Sequence, residues 1–183
     1  MDKVIERILI TEFDIKKRIA EMVFDMADKY QRKDVVFVSI LKGSFMFLAD
    51  LVRNLYIHDI QPIIDFAIAS SYGDSVTSSG AVNLERGITT PVKDKPVLLI
   101  DDILDTGRTM NYLKDYLTQF SPQQIETCVL LDKPSRRLVD IRPDYKGFEI
   151  EDFFVVGYGL DYNNKFRELP YIAVLNPKAN PPT

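Results

Sequence analysis

Two patterns of apolar residues alternate along the chain. Short runs that are almost wholly apolar are typical of strands buried on both faces, whereas apolar residues three to four positions apart are typical of helices that bury one face. The first pattern predicts strands at 35–41, 63–69, 96–100, 126–131 and 153–156. The second predicts helices at 11–30, 45–56 and 109–120, and Thr11 with Asp14 resembles a capping box at the first of them.

This order of elements predicts the fold class. Strands that alternate with helices give an α/β fold, in which a mostly parallel, twisted sheet carries helices on both faces. A length of 183 residues favours a single domain, 1–183. A small, polar stretch at 70–80 predicts a mobile loop, and the proline-rich stretch at 176–183 predicts a loose tail. Ligands in such folds bind beyond the carboxyl ends of the strands, so we expect the functional residues there.

The composition excludes several kinds of partner and site. A net charge of −4 and a pI near 5.1 give no overall positive field, so we expect no nucleic-acid partner. The single Cys128 excludes a disulfide within the chain, and the single His58 excludes a two-histidine zinc site. No apolar run approaches the roughly 18 residues of a membrane span, and the first residues are unlike a secretory signal. We therefore expect a cytoplasmic protein with no membrane contact.

The glycine spacing excludes three common sites: it fits neither a nucleotide P-loop, nor a dinucleotide fingerprint, nor a nucleophile elbow. The most informative stretch is instead 97–109, where a buried strand leads into three carboxylates, a Thr-Gly-x-Thr turn and a helix. The turn and the helix start present backbone N–H groups and hydroxyls, which together suit a phosphate group. Carboxylates beside an anion are unfavourable unless a cation lies between them or one carboxylate is a base. Oxygen ligands favour Mg²⁺, so we expect Mg²⁺ as the cofactor.

This stretch resembles the ribose-phosphate loop of the type I phosphoribosyltransferases. From about residue 8 to residue 175 the chain resembles their hypoxanthine (hypoxanthine-guanine) members, through motifs at 41–44, 71–73, 131–137 and 154–163. The resemblance implies the type I phosphoribosyltransferase fold with a small hood, built from the N-terminal segment and roughly 150–175. It also implies a purine-salvage enzyme that exchanges the pyrophosphate of phosphoribosyl pyrophosphate for a purine base. The products would be IMP from hypoxanthine and GMP from guanine, with the preference between the two bases left open.

The resemblance also assigns the reacting groups. Asp105 matches the family's general base, which accepts the N7 proton of the purine while the ribose passes through an oxocarbenium-like state. Asp101 and Asp102 match the acidic pair that holds the ribose hydroxyls and a Mg²⁺-linked water shell. Many members have Glu at the first of these positions, which leaves open whether Asp101 makes its contact directly or through water. Asp161 matches a second acidic Mg²⁺ ligand near the base.

The phosphate groups are assigned in the same way. The 5′-phosphate is expected on the loop formed by Asp105, Thr106, Gly107, Arg108 and Thr109. Lys42 and Gly43 match the pyrophosphate loop, which in the family often contains a non-proline cis peptide. Arg167 matches an arginine that reaches the pyrophosphate, an anion that a guanidinium binds bidentately.

The resemblance assigns the base pocket last. Lys133 matches the lysine that donates to the purine O6, and Val155 matches the backbone partner of the base edge. Phe154 matches the ring that stacks on the base, although a Phe before two valines is more often a core residue by pattern alone. Ser71 and Tyr72 belong to the loop that, in the family, closes over the site and excludes water.

Two other functions remain as alternatives, a xanthine-guanine phosphoribosyltransferase and a regulator with this fold that binds RNA. The segment after Phe154 disfavours the first, and the acidic net charge with Lys133 and Asp161 present disfavours the second. The neighbouring Arg136 and Arg137 fit either subunit contacts or solvation, and the sequence does not decide between these. The family forms dimers and tetramers, so a homodimer or homotetramer is the expected assembly.

Overall fold

The computed structural model describes residues 4–71 and 82–176. The strands in these ranges are β1 (Ile5–Ile10), β2 (Val36–Leu41), β3 (Ile63–Ser71), β4 (Val82–Arg86), β5 (Pro96–Leu104), β6 (Gln124–Asp132), β7 (Tyr145–Glu149), β8 (Val155–Val156) and β9 (Ile172–Leu175). The helices are α1 (Glu12–Tyr30), α2 (Phe45–Leu55) and α3 (Arg108–Thr118), with short 3₁₀ turns at Tyr56–His58 and Pro134–Arg136. None of these helices is both long and apolar enough to cross a membrane.

The larger sheet has six strands in the order β4-β3-β2-β5-β6-β7. Strands β2, β3, β5, β6 and β7 run parallel, and β4 pairs antiparallel with β3 at one edge. The chain builds outward from β2 in one direction and from β5 in the other, so the strand order reverses between these two neighbours. In open α/β sheets ligands bind beyond the carboxyl ends of the strands at such a switch point.

Two apolar cores lie on opposite faces of this sheet, because successive side chains of a strand point to opposite faces. Leu98 and Ile100 of β5 belong to the core formed with α1 and α2. Val97 and Leu99 of the same strand belong to the core formed with α3. Helices therefore cover both faces, and the predicted α/β fold is confirmed.

A second sheet contains three antiparallel strands in the order β1-β9-β8. It joins the N-terminal strand to the chain beyond residue 150, the two parts predicted to form a hood. We call this sheet, together with the turns at 157–171 between β8 and β9, the hood. The hydroxyl of Tyr158 in the hood donates to Asp50 Oδ2 on α2 at 2.5 Å. This contact ties the hood to the helix layer of the larger sheet.

Asp65 on β3 fixes the chain that leads from β4 to β5. Its carboxylate is 7% exposed and accepts the N–H of Phe66 at 2.8 Å and those of Thr89 and Thr90 at 2.7 Å each. Burial alone would raise the pKa of Asp65, but these backbone donors outweigh it and leave the pKa below its ordinary value.

Several boundaries differ from those expected from the sequence. Strand β5 extends to Leu104 instead of ending at 100, so Asp101 and Asp102 lie within the strand. The cap at Thr11 is confirmed, since its Oγ1 accepts the N–H of Asp14 at 3.2 Å. The strand expected at 153–156 is confined to Val155–Val156. The sequence missed four strands, β1, β4, β7 and β9, of which the first three mix charged and apolar residues and the last has four residues.

The polar stretch at 70–80 lies partly outside the described residues. Ser70 and Ser71 belong to β3, where they pair with Asn83 and Val82 of β4, so the loop predicted to include Ser71 was wrong at that position. The reason is that β4 extends the pairing of β3, which the local sequence does not reveal. Tyr72 lies outside the described residues. So does the tail predicted to be loose, apart from Asn176, whose N–H donates to Val4 O at 2.8 Å.

Candidate active site

A cavity of about 560 Å³ lies at the carboxyl ends of β2 and β5, at the switch point of the sheet. Its walls come from the two strand ends, from the start of α3 and from the hood. The predicted site residues that line it are Lys42, Gly43, Asp101, Asp102, Thr109, Asp161 and Arg167. The structure thus brings the predicted pyrophosphate-binding and acidic residues together, although they are up to 125 positions apart in the chain (167 − 42). Of the predicted 5′-phosphate loop, only Thr109 is among the lining residues.

The turn between β5 and α3 has a conformation suited to an anion. Gly107, the N-cap of α3, has a φ of 83° in the left-handed region. A Cβ at this position would lie 2.6 Å from Ile141 Cγ2 and 2.8 Å from Val139 Cγ2, so glycine is required for space as well as for conformation. The first turn of α3 contains no acidic residue. Its positive end is therefore open to a bound phosphate group.

The acidic pair lies where β5 enters the cavity. Asp102 is 8% exposed, and its N–H donates to Asp101 Oδ1 at 3.0 Å. Burial raises the pKa of both carboxyl groups, and the neighbouring charge of Asp102 raises the pKa of Asp101 further. Two ionised carboxylates are therefore unfavourable here unless a cation compensates them.

The donors at this end of the cavity fit Mg²⁺. The described residues contain no group of three or more His, Cys, Asp or Glu side chains placed to hold one ion, so Asp101, Asp102 and Asp161 do not form a single three-ligand site. Mg²⁺ commonly takes one or two carboxylates and completes its shell with water and substrate phosphates. The pair formed by Asp101 and Asp102 supplies that number of protein ligands.

The pyrophosphate loop follows β2. The cis peptide expected in this loop is present, between Leu41 and Lys42. A Cβ on Gly43 would lie 1.8 Å from Asp102 Oδ2, so glycine allows the loop to approach the acidic pair. Gly159 of the hood contacts the other side of the loop, since a Cβ there would lie 2.1 Å from Gly43 O.

Arg167 is held at the cavity wall by two contacts within the hood. Its Nη1 donates to Gly159 O at 2.6 Å, and its Nη2 lies 2.7 Å from Asp161 Oδ1. Asp161 Oδ2 also accepts the N–H of Asn164 at 2.8 Å. The guanidinium is thus fixed beside the pyrophosphate loop, where it can bind a phosphate oxygen.

Lys133 and Phe154 are not among the lining residues of this cavity, and Lys133 lies next to the β5–α3 turn. The backbone N–H of Lys133 donates to Leu104 O at 3.0 Å, which places the lysine beside Asp105. Its side chain is 8% exposed, and Nζ donates to Phe153 O at 2.6 Å and lies 3.7 Å from Asp152 Oδ1. A buried ammonium can only donate, so it suits a ligand that presents an oxygen acceptor.

Phe154 is not a core residue, contrary to the local pattern. It is 56% exposed, and its ring meets Tyr162 edge to face with the centroids 5.5 Å apart. The next residue, Val155, is buried and pairs with Val174 of β9. An exposed aromatic face on a fixed strand end is suited to stacking on a planar ring.

Asp105 is held by Arg136, an arginine whose role the sequence left open. Its side chain is 36% exposed, and Oδ1 accepts from Arg136 Nε at 3.0 Å. Arg136 Nη1 lies 3.6 Å from Asp152 Oδ2, so one guanidinium joins two acidic side chains. Arg137, the next residue, donates to the carbonyl oxygens of Leu104 and Asp105. Sequence reasoning missed these contacts because they depend on β5 and β6 being neighbours. The available signal was that both arginines follow β6 directly.

Known proteins resemble this chain in sequence and in structure. A phosphoribosyl transferase domain model matches residues 6–163. The hypoxanthine-guanine phosphoribosyltransferase of Bacillus subtilis (strain 168) is 42% identical over 173 residues, which are 94% of this chain and 94% of that protein. The chain belongs to the hypoxanthine phosphoribosyltransferase family. A hypoxanthine phosphoribosyltransferase from Trypanosoma cruzi, in complex with the product IMP, is 40% identical, covers 98% of both chains and has a TM-score of 0.90. The hypoxanthine phosphoribosyltransferase of Staphylococcus aureus is 41% identical, with a TM-score of 0.88 over 94% of this chain and 92% of that one.

Membership of the hypoxanthine phosphoribosyltransferase family confirms the resemblance seen in the sequence. The fold agrees as well, since the two solved structures cover 94% and 98% of this chain with TM-scores of 0.88 and 0.90. The family match reaches from residue 6 through the acidic pair, Lys133 and Asp161.

Proposed function

We propose that this protein is a purine-salvage enzyme that converts hypoxanthine and phosphoribosyl pyrophosphate into IMP and pyrophosphate, and guanine into GMP. One observation carries the proposal: the backbone of Lys133, whose ammonium is buried, pairs with Leu104 directly before Asp105 and the turn that begins α3. A residue that can donate to the base, a carboxylate that can accept its proton and a site suited to a phosphate group are thereby adjacent. Family membership supports the same reaction, and the Trypanosoma cruzi relative binds IMP.

Asp105 acts as the general base in this proposal. As N9 of the purine bonds to C1 of the ribose and pyrophosphate leaves, the purine loses its N7 proton to Asp105 Oδ2. The other oxygen, Oδ1, is held by Arg136 Nε at 3.0 Å, so the carboxylate presents one oxygen to the base.

The phosphate groups bind at two places. The 5′-phosphate accepts the N–H groups of the turn from Asp105 to Thr109, at the positive end of α3. Pyrophosphate lies between the loop at Lys42 and Gly43 and the guanidinium of Arg167, which line the same cavity. An arginine and a lysine there compensate the charge that develops on the leaving group.

Mg²⁺ belongs at the acidic end of the cavity, held by Asp101 and Asp102 through oxygen atoms. When bound, it neutralises charge on the pyrophosphate oxygens. Burial raises the pKa of both carboxyl groups, and a cation would compensate their ionised forms, which supports this assignment. The same two side chains face the ribose hydroxyls, and Asp161 remains a further candidate ligand on the hood side.

Lys133 reads the base and Phe154 stacks on it. The ammonium donates to O6, which hypoxanthine and guanine both carry as an acceptor. Adenine presents an amino group at that position, so two donors would face each other and the buried charge would lose its partner. The backbone at Val155 meets the edge of the base.

The proposal extends to assembly and location. We infer a homodimer or homotetramer in the cytoplasm, with no nucleic-acid or membrane partner. For the Trypanosoma cruzi relative, a role of the C-terminal region on the oligomeric state and enzymatic activity has been described. Exposed apolar side chains at Phe13, Phe24, Tyr56 and Ile57 offer contact surface for a second copy. Light scattering on the purified protein measures the assembly directly.

The decisive experiment is an assay with phosphoribosyl pyrophosphate, Mg²⁺ and each base in turn: hypoxanthine, guanine, xanthine and adenine. Nucleotide formation with hypoxanthine and guanine is the expected result. Efficient use of xanthine would favour a xanthine-guanine enzyme, and the absence of any nucleotide product would contradict the proposed function.

A further inference from the structure

The segment 133–141, which follows β6, lies against the turn that precedes α3. We propose that Arg137 in this segment is a positioning residue, which sets the direction of the peptide groups that bind the 5′-phosphate. The inference rests on the proposed function, in which those peptide groups hold the phosphate. It concerns a residue on the opposite side of the turn from the ligand.

Arg137 contacts the turn through its guanidinium. Nη1 donates to Leu104 O at 2.9 Å and to Asp105 O, and Nη2 pairs with Asp132 Oδ1. The side chains of Arg137 and Asp132 are 14% and 5% exposed. The carboxylate therefore compensates a largely buried cation whose donors are directed at backbone carbonyl groups. A solvated surface arginine would show none of these contacts.

A third carbonyl group of the turn, that of Thr106, accepts a hydrogen bond from the same segment. Thr106 O accepts the N–H of Leu138 at 3.0 Å. Three successive carbonyl groups, those of Leu104, Asp105 and Thr106, thus point toward 133–138.

The direction of these carbonyl groups decides where the amides point. In a trans peptide the C=O of one residue and the N–H of the next point in opposite directions, and the peptide bonds of this turn are trans. The N–H groups of Asp105, Thr106 and Gly107 consequently point away from Arg137. Successive N–H groups on one side of a turn form an anion-binding nest. Arg137 and Leu138 therefore hold the carbonyl side of the turn, so that its N–H groups form the nest on the opposite side.

Packing leaves the turn little room to relax. The position of a Cβ on Gly107 is 3.0 Å from Arg137 Cδ, besides the close contacts to Val139 and Ile141. The side chain of Arg137 lines a second cavity of about 590 Å³, which shares no lining residue with the active-site cavity. Arg137 thus acts through the turn and is not among the residues that line the substrate cavity.

The test compares two ligands, of which only one carries a 5′-phosphate. IMP carries a 5′-phosphate and pyrophosphate does not, so calorimetric titration of each with Mg²⁺ separates the nest from the pyrophosphate loop. For Arg137→Ala we expect binding of IMP to weaken about tenfold or more. Binding of pyrophosphate should stay within about twofold of wild type. Equal weakening of both ligands in a folded variant would contradict the proposal, as would unchanged binding of IMP.

Two further variants keep the test decisive. Arg142→Ala removes an exposed arginine from the wall of the same second cavity and should bind both ligands as wild type does. Arg137→Lys keeps a cation but has one nitrogen atom, which cannot replace both Nη1 at the two carbonyl groups and Nη2 at Asp132, so it should weaken IMP binding selectively too. It replaces the alanine variant in the comparison if that variant does not fold.

Added guanidinium ion provides a positive control. The second cavity borders Arg137, so millimolar guanidinium chloride should restore part of the IMP affinity of Arg137→Ala, whereas potassium chloride should not. Equal effects of the two salts would count against a positioning role. If wild-type protein neither forms nor binds IMP, the proposed function fails. If wild type binds IMP and the arginine variant binds it equally well, only the role of Arg137 is lost.

Discussion

Replacing Lys133 with Met tests how the site chooses its base. Methionine fills similar space without a charge, so the change removes the ammonium that is 8% exposed and hydrogen-bonded to Phe153 O at 2.6 Å. A hydrogen bond from a charged donor is worth about 1.5–3 kcal/mol, and at this degree of burial solvent does little to weaken it. Loss of the bond to O6 should therefore lower kcat/KM for hypoxanthine roughly 10- to 150-fold.

The same change should make the enzyme less selective. Wild type should reject adenine strongly, because a site built to donate to a ligand leaves its buried donor unpaired with the wrong one. In Lys133→Met that penalty disappears, so the ratio of kcat/KM for hypoxanthine to that for adenine should fall at least about tenfold. The KM for phosphoribosyl pyrophosphate should change little, since the ammonium of Lys133 contacts Phe153 O and Asp152, while the pyrophosphate loop and Arg167 line the separate cavity at the strand ends.

Steady-state assays with both bases provide the measurement, with Lys29→Met as the matched control. Lys29 also pairs with a carboxylate, Glu126 at 2.5 Å, but at the opposite end of β6, so its replacement should leave both efficiencies unchanged. The reasoning is refuted if Lys133→Met keeps hypoxanthine efficiency within about threefold of wild type, or if it loses activity while the ratio between the bases stays the same.

Four other outcomes are expected. Asp105→Asn should lower kcat by about 10²–10⁴ with a smaller effect on substrate affinity, and turnover above about a third of wild type would exclude Asp105 as the base. Excess EDTA should abolish activity and added Mg²⁺ should restore it, whereas full activity in EDTA would contradict the role given to the acidic pair. Gly43→Ala should reduce activity strongly while the protein stays folded, because its Cβ would lie 1.8 Å from Asp102 Oδ2; a normal rate would show that the loop can shift freely. Asp65→Asn should lower the free energy of unfolding by about 1–3 kcal/mol at neutral pH. Because the folded pKa of Asp65 is depressed, the stability it contributes is present above the unfolded pKa of about 3.9 and is lost as pH falls through the folded pKa, so denaturation curves of the two proteins should converge in acid.

The sequence predicted the parts of the site that depend on local order. The acidic residues after a buried strand, and the glycine turn before a helix, lie within 97–109, so their proximity follows from the chain itself. Parallel strands then bring Lys42 and Asp102 to the same edge of the sheet, which the alternation of strands and helices already indicated.

Features that depend on the order of strands in the sheet could not be predicted from the local sequence. Arg137 contacts Leu104 because β6 lies beside β5, and Ser71 belongs to a strand because β4 pairs with it. The exposure of Phe154 follows from its place where the chain enters the hood, whereas its apolar neighbours suggest burial. Missing the short strands β1 and β9 hid the second sheet, although the resemblance had implied a hood.

The backbone contact between Gly159 and Gly43 sets a limit on redesign. The backbone of Val155, proposed to meet the edge of the base, belongs to the hood, and Phe154 directly precedes it. An engineer who wanted another specificity would therefore exchange the hood as a block. Any replacement must keep a bare α-carbon at position 159, since a single methyl group there would fall 2.1 Å from the carbonyl of Gly43. A graft that ignored this would push on the pyrophosphate loop and lose turnover with every base, old or new. The choice of base and the binding of the leaving group are thus coupled through the contact between Gly159 and Gly43. Libraries for new substrates should vary other residues of the hood and keep Gly159 fixed.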